Sequence, residues 1–399
     1  MVAQAVLDTA LHDQGRDDDE AAVAQGEGIG RPRSARGCDR LLGEATAEAL
    51  AEGGRDLVAG DPELRREGIE PALAAICVPT HWPSVRRRPS RAARVDSPVM
   101  SETVHGPPPP DVVTEGIAEI TGGVWVIPDR RVPLVPNVGI VEGRERVLVV
   151  DVGMGPKNGE RVLAAAREIA GSRELVVTTT HFHPEHAFGL QSFRGEAHSV
   201  YNRAQLDELH DKGEAYLGMF RTFGPNVAHA LEGVELVEPD EAYDGDSAEL
   251  DLGGGSVQLL THGTAHTRGD QVVFLPDERV LFTGDLVESR IFPIYPWFPP
   301  DDADVNGSRW IDVLSWLEAL DPARVVPGHG EVSDAGLIRE ARAYHELLRE
   351  ETFARAEAGL DADAAVAAIE PGIRVRYPDW EQPEWIAFAI RCLHAERVR

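Results

Sequence analysis

The stretch that most constrains this chain is Thr180-His181-Phe182-His183-Pro184-Glu185-His186, in which three histidines and a carboxylate fall within six residues. With 14 histidines and 68 acidic residues in 399 positions, a His-x-His-x-acid-His pattern arises by chance roughly 0.003 times per chain. Two apart in an extended segment, His181 and His183 point the same way. Pro184 keeps His183 out of the helical region. The chain then turns, which lets Glu185 and His186 face a second point nearby. Neutral imidazoles with a carboxylate suit zinc. Four groups in one loop cannot complete two metal shells, so further ligands must come from elsewhere.

Three later positions qualify. His266 lies in Gly263-Thr264-Ala265-His266-Thr267-Arg268-Gly269-Asp270, between two predicted strands. Asp285 follows a strand in Phe282-Thr283-Gly284-Asp285, and His329 follows another in Val325-Val326-Pro327-Gly328-His329-Gly330. Each has glycine close by, which permits sharp turns and close backbone approach.

The ordered set His-x-His-x-acid-His, Ala-His-Thr-x-Gly-Asp, Phe-Thr-Gly-Asp and Pro-Gly-His-Gly resembles the metallo-β-lactamase superfamily. The preceding strand and acid, Val147-Leu148-Val149-Val150-Asp151-Val152-Gly153, fit the same resemblance, which covers about residues 120–335. It implies an α/β fold, the four-layer αβ/βα sandwich, with two metals at one edge between the sheets. It further implies that His181, His183 and His266 hold the first metal, that Glu185, His186 and His329 hold the second, and that Asp285 bridges them. Asp151 would orient a metal-site loop through hydrogen bonds. The expected cofactors are two zinc ions, with iron or manganese as alternatives.

Glu185 departs from the family pattern, which usually has Asp there. The extra methylene displaces the carboxylate by roughly 1 Å unless the backbone shifts, so the first site is expected to fill more tightly than the second. The implied activity is hydrolysis of a small-molecule substrate by a metal-bound hydroxide attacking a carbonyl: a β-lactam, lactone, thioester or similar ester or amide. Glu185 and Asp285 are the catalytic candidates. Two alternatives stand beside it. One is a mononuclear iron enzyme resembling the persulfide dioxygenases of the superfamily. The other is a non-catalytic binding descendant.

The rest of the chain divides into three. Residues 1–99 carry few aromatics and weak apolar stripes, and read as a disordered or weakly helical extension. A sharper reading is that the true start is Met100. From residue 121, apolar β-rich runs at 124–128, 138–141, 147–150 and 175–180 are broken by Gly, Pro and charge. Asn158 is the expected cap of a helix to Ala170, and a second helix is expected from about Asn202 to Lys212. Residues 214–233 read as irregular, with Met219, Phe220 and Phe223 as a candidate lid. Strands follow near 248–252, 256–261, 271–275 and 279–283, then a helix over 308–320. The aromatic run 292–300 is a candidate active-site wall. The catalytic domain is placed at 100–335, and 336–399 is read as a helical tail packed on it, anchored by Trp380 and Trp385.

The net charge of −29 repels phosphate backbones and disfavours nucleic acid, even beside the arginine cluster at 86–94. Three scattered cysteines exclude a cysteine-built zinc site and a disulfide framework. No apolar run approaches the roughly 20 residues of a membrane span, so no membrane partner and a cytoplasmic location are expected. Oligomeric state is not legible. His262 reads as structural or as a support to the site, and His198, His210, His229, His345 and His394 as surface or satisfied core residues. Intact mass of the natively expressed protein decides the start: a product beginning at Met100 is expected on the sharper reading, and one beginning at Met1 overturns it.

Overall fold

A computed structural model describes residues 107–299 and 302–398; the extension expected at 1–99 lies outside them. Twelve strands form two sheets among the described residues. The first contains β1 (Ala118–Thr121), β2 (Val124–Ile127), β3 (Val138–Glu142), β4 (Arg146–Val150), β5 (Glu174–Thr178), β6 (Ala197–Asn202) and β7 (Glu241–Tyr243), in that order. β1 to β4 pair antiparallel, and β4 to β7 parallel. The second sheet runs β12 (Arg324–Pro327), β11 (Val280–Gly284), β10 (Val272–Leu275), β9 (Ser256–Leu260), β8 (Ser247–Asp251), with only β11–β12 parallel.

Alternation along the strands builds the layers. One core cluster joins Val124, Val126, Leu148, Val150 and Val176 of the first sheet to Val257, Leu259, Val273, Leu275 and Phe282 of the second. The opposite face of the first sheet, through Ile140, Val147, Val149 and Val177, packs on Val162 and Ala166 of α1 (Gly155–Ala170). The outer face of the second sheet carries Val272, Phe274, Leu281 and Val325 against the helices that follow it. These are α5 (Gly307–Ala319), α6 (Gly336–Glu357), α7 (Ala362–Arg376) and α8 (Trp385–Val398). The result is the expected four-layer αβ/βα sandwich with a helical C-terminal region. Trp380 and Trp385 pack against that outer core.

Several local expectations change. Helix α1 begins at Gly155, a turn before Asn158, with Pro156 in its first turn, where proline is pre-organised. Asn158 is buried and ties down the preceding chain: Val112 N donates to its Oδ1, and its Nδ2 donates to Pro110 O and Met154 O. After the short α2 (Pro184–Ala187), the helix expected to stop at Lys212 is α3 (Arg203–Phe220), capped by Asn202, whose side chain accepts from Gln205 N. It continues because Leu209, Gly213, Tyr216, Leu217 and Phe220 keep one buried face. Gly213 is a packing point, since a Cβ there would stand 2.8 Å from Leu236 Cδ1. The segment read as irregular therefore holds the end of α3 and the short helix α4 (Pro225–Ala230), and Phe220 packs on Phe223. Nor is the 292–300 run mainly a site wall: Phe292 packs on Tyr344 and Trp380, and Phe298 on Phe388.

Tyr295 is buried with its hydroxyl 2.7 Å from His345 Nδ1. Burial pushes His345 down to about 3. Between pH about 6.5 and about 3 the unfolded chain takes a proton that the folded His345 refuses, so stability falls as pH drops through that window, by at most about 1.4 kcal/mol per pH unit for one group. Urea denaturation from pH 7.5 to 5 is expected to show a shallower loss in His345→Gln than in the wild type; parallel slopes would remove His345 as a cause.

Candidate metal centre

All the candidate ligands leave the C-terminal ends of strands. Asp151 follows β4, the 181–186 loop follows β5, His266 follows β9, Asp285 follows β11, and His329 follows β12. Where the two sheets meet at this edge, the seven positions expected from the sequence come together, all buried. One ligand atom from each of His181, His183, His266 and Asp285 lies within 4.8 Å of the others, and the same holds for Glu185, His186, Asp285 and His329. Asp285 belongs to both sets.

Close approach of the strand ends depends on glycine. Gly284 has φ +52°, and a Cβ there would meet Thr180 Oγ1 at 2.5 Å. A Cβ on Gly328 would stand 1.9 Å from Asp285 Oδ1.

The hydrogen bonds around the imidazoles decide which nitrogens face inward. His266 Nδ1 donates to Ile294 O at 2.9 Å. His329 Nδ1 donates to Val135 O at 2.9 Å. His186 Nδ1 donates to Asp151 Oδ2 at 2.9 Å. His181 Nδ1 lies 3.1 Å from Thr180 Oγ1, whose own proton goes to Asp151 Oδ2. In its neutral form each of these rings is left with Nε2 as a lone pair. His183 instead turns Nδ1 inward, 3.0 Å from His181 Nε2 and 3.1 Å from His266 Nε2. Asp285 Oδ2 stands 3.9 Å from His181 Nε2 and 3.8 Å from His266 Nε2. Its Oδ1 stands 3.3 Å from His186 Nε2 and 3.5 Å from His329 Nε2.

Glu185 Oε2, His186 Nε2, His329 Nε2 and both oxygens of Asp285 are buried without a hydrogen-bond partner. Unpartnered buried carboxylates and lone pairs are costly, and here they converge on common points. That arrangement fits cations in both sets.

Electrostatics separates the sets. Burial, reinforced by neighbouring histidines, holds His181 and His183 well below the usual imidazole range. Burial also pushes His266 down to about 4. Burial opposes charge on His186 and His329 as well, but Asp285 outweighs it for both, with Asp151 adding to the effect on His186, and both are raised. Asp285 resists burial through His329 and His186, which hold it well below the carboxylate range. Burial raises Glu185, and burial with the nearby Asp285 raises Glu288.

The supporting shell is larger than the sequence suggested. Asp151, at φ +67°, also accepts Thr180 N at 2.7 Å, as expected of a loop-orienting group. Asn137 Nδ2 donates to Pro327 O and Gly330 O, and Gly330 N donates to Asp129 Oδ2, which fixes the His329 turn. Asp270 accepts Thr267 N and Thr267 Oγ1 beside His266, and burial pushes it up to about 7. Gln205 and Gln271 donate to Thr179 O. Asn137, Asp129, Gln205 and Gln271 carry no spacing signal, because each supports a loop remote in sequence. His262 stacks on Trp316 at 4.8 Å, away from both sets.

Residues 131–329 match the model of the metallo-beta-lactamase superfamily. With the fold and site described above, this part of the chain belongs to that superfamily. The linear primary-alkylsulfatase of Pseudomonas sp. is 24% identical over 58% of this chain and 49% of its own length. The chain thus spans about half of that relative. The acyl-coenzyme A thioesterase MBLAC2 of Gallus gallus is 29% identical over 48% of this chain and 72% of its own. The metallo-beta-lactamase type 2 of Bacillus cereus is 23% identical over 56% and 80%. These relatives are hydrolases, and this chain shares with the superfamily a His/Asp cluster able to bind metal.

Gly328→Ala drives a methyl into Asp285 Oδ1. It is expected to lower stability by about 1–3 kcal/mol and to reduce bound metal after equilibration with zinc. Gly122→Ala, with open space at its Cβ, is expected to change neither. Full metal content in Gly328→Ala would show that Asp285 does not need this clearance.

Proposed function

We propose that this protein is a binuclear metal-dependent hydrolase that cleaves a carbonyl-centred bond in a small substrate, a thioester, lactone or β-lactam. The observation that carries the reading is Asp285: a buried carboxylate with both oxygens unpartnered, one facing each histidine set. His181, His183 and His266 hold the first cation, and Glu185, His186 and His329 the second, with Asp285 between them. Zinc suits this mixture of imidazole and carboxylate. Bound divalent cations supply a water nucleophile active at neutral pH and an electrophile for the carbonyl oxygen.

The chain's own groups do the rest. Asp285 fixes the spacing of the two sets through its two oxygens. Glu185, which would hold the second cation, would also steer the attacking water through its carboxylate. Asp151 and Thr180 keep His186 and His181 in the tautomers that leave Nε2 free. Tyr216, whose ring lies 5.6 Å from that of His183 and stacks on Phe182, packs behind the first set as an apolar backing. We assign catalysis to residues 100–335, with 336–399 as a helical extension packed on that unit.

Zinc-loaded protein is expected to hydrolyse at least one of a long-chain acyl thioester, a lactone and a β-lactam, to lose that activity on chelation and to regain it with zinc. Asp285→Asn is expected to lower kcat/KM by about a hundredfold or more, beyond the range typical of outer-shell changes. Turnover of a primary alkyl sulfate alone would overturn the carbonyl assignment. Because Glu185 is a methylene longer than the family's Asp, stepwise chelation is expected to strip one equivalent well before the other. Equal affinities would count against that order.

A further inference from the structure

We infer that Glu288 is a positioning residue for His266, acting through the backbone of Ile294. This rests on the proposed first metal set. His181 and His186 are oriented by Thr180 and Asp151, a side-chain pair seated beside β4 and β5. His329 is oriented by Val135 O, in a turn that Asn137 and Asp129 fasten. His266 is different. Its Nδ1 partner, Ile294 O, lies between β11 and α5 in chain that has neither helix nor paired strand to aim its carbonyl.

What holds Ile294 is Glu288. Ile294 N donates to Glu288 Oε1 at 3.2 Å, and Glu288 is buried three residues beyond Asp285. Between Glu288 and Ile294 the chain is clamped at two points: Ser289 N donates to His329 O at 2.9 Å, and Phe292 N donates to Glu381 O at 3.0 Å. Glu288 thus closes a loop of contacts that begins at Asp285, passes through Ile294 and returns to His266. A tilt of the Ile294 carbonyl would rotate the imidazole and carry Nε2 away from His183 Nδ1, which it now faces at 3.1 Å. The second set has no such dependence on Ile294.

The test uses the full chain and cobalt(II) as the probe, read by its visible absorption during titration against a competing chelator. Glu288→Met keeps the side-chain length and removes the acceptor; Glu288→Gln keeps an acceptor for Ile294 N. The Met variant is expected to bind the tighter equivalent about 10- to 100-fold more weakly, with an altered spectrum for that equivalent and the weaker equivalent unchanged. The Gln variant is expected to restore both affinity and spectrum. Wild-type affinity in Glu288→Met overturns the proposal. So does equal weakening in Glu288→Gln, which would make Glu288 a direct ligand. If Glu288→Met does not fold, Glu288→Leu, which also lacks the acceptor, takes its place with the same expected and overturning results. Failure of the wild-type chain to bind cobalt would instead overturn the metal reading itself, and is a separate result.

Discussion

The structure turns on one carboxylate. Asp285 sits buried at the meeting edge of two sheets, with no protein hydrogen-bond donor on either oxygen. An ionised group in that position costs on the order of several kcal/mol unless a counter-charge meets it. Its immediate surroundings are imidazole nitrogens, five of them within 4.8 Å. A site so arranged is stabilised by cations and strained without them. The fold's strand ends, glycine turns and buried amides can all be understood as the means of holding that arrangement.

The sandwich supplies the convergence. Parallel pairing of β4 with β5, and of β11 with β12, puts the ends of successive strands side by side. Loops leaving those ends are therefore neighbours, although His181 and His329 are far apart along the chain. Rigid strands beneath short loops limit the motion of each ligand, which suits a site that must be preformed to bind metal. The second layer of contacts extends this rigidity. Asp151, Asn137, Gln205 and Gln271 pair with loop amides that would otherwise be buried and unsatisfied.

The C-terminal helices belong to the same mechanical unit as the second sheet. Phe292 and Tyr295, close in sequence to Asp285, are buried among residues of α5, α6 and α8. The chain near Glu381 forms a β-bridge with Ile291. Arg131 and Arg290 both pair with Glu331, two residues past His329. The loops that carry the candidate ligands on the second sheet are thus fastened from behind by the helical region. Aromatic residues that a linear reading would set around a substrate serve as that fastening.

The candidate ligands were legible in the sequence because coordination chemistry restricts residue type and spacing so severely. His-x-His on an extended segment, a proline before the turn, and Asp or His just after an apolar run beside glycine are local patterns, and local patterns survive in a string of letters. Most strands were legible for the same reason, since burial on both faces leaves short apolar runs. Short strands such as β1 and β7, whose residues are largely exposed or half-buried, gave no such run. The full length of α3 was hidden by a glycine that serves packing. The supporting residues were invisible for a deeper reason: Asn137 acts on residues 327–330 and Gln271 on residues 178–180. Such partnerships are set by which loops the two sheets bring together. Sequence alone determined which side chains could gather as metal ligands; only tertiary structure decided which polar groups hold them still, because a hydrogen bond across nearly two hundred residues has no local signature.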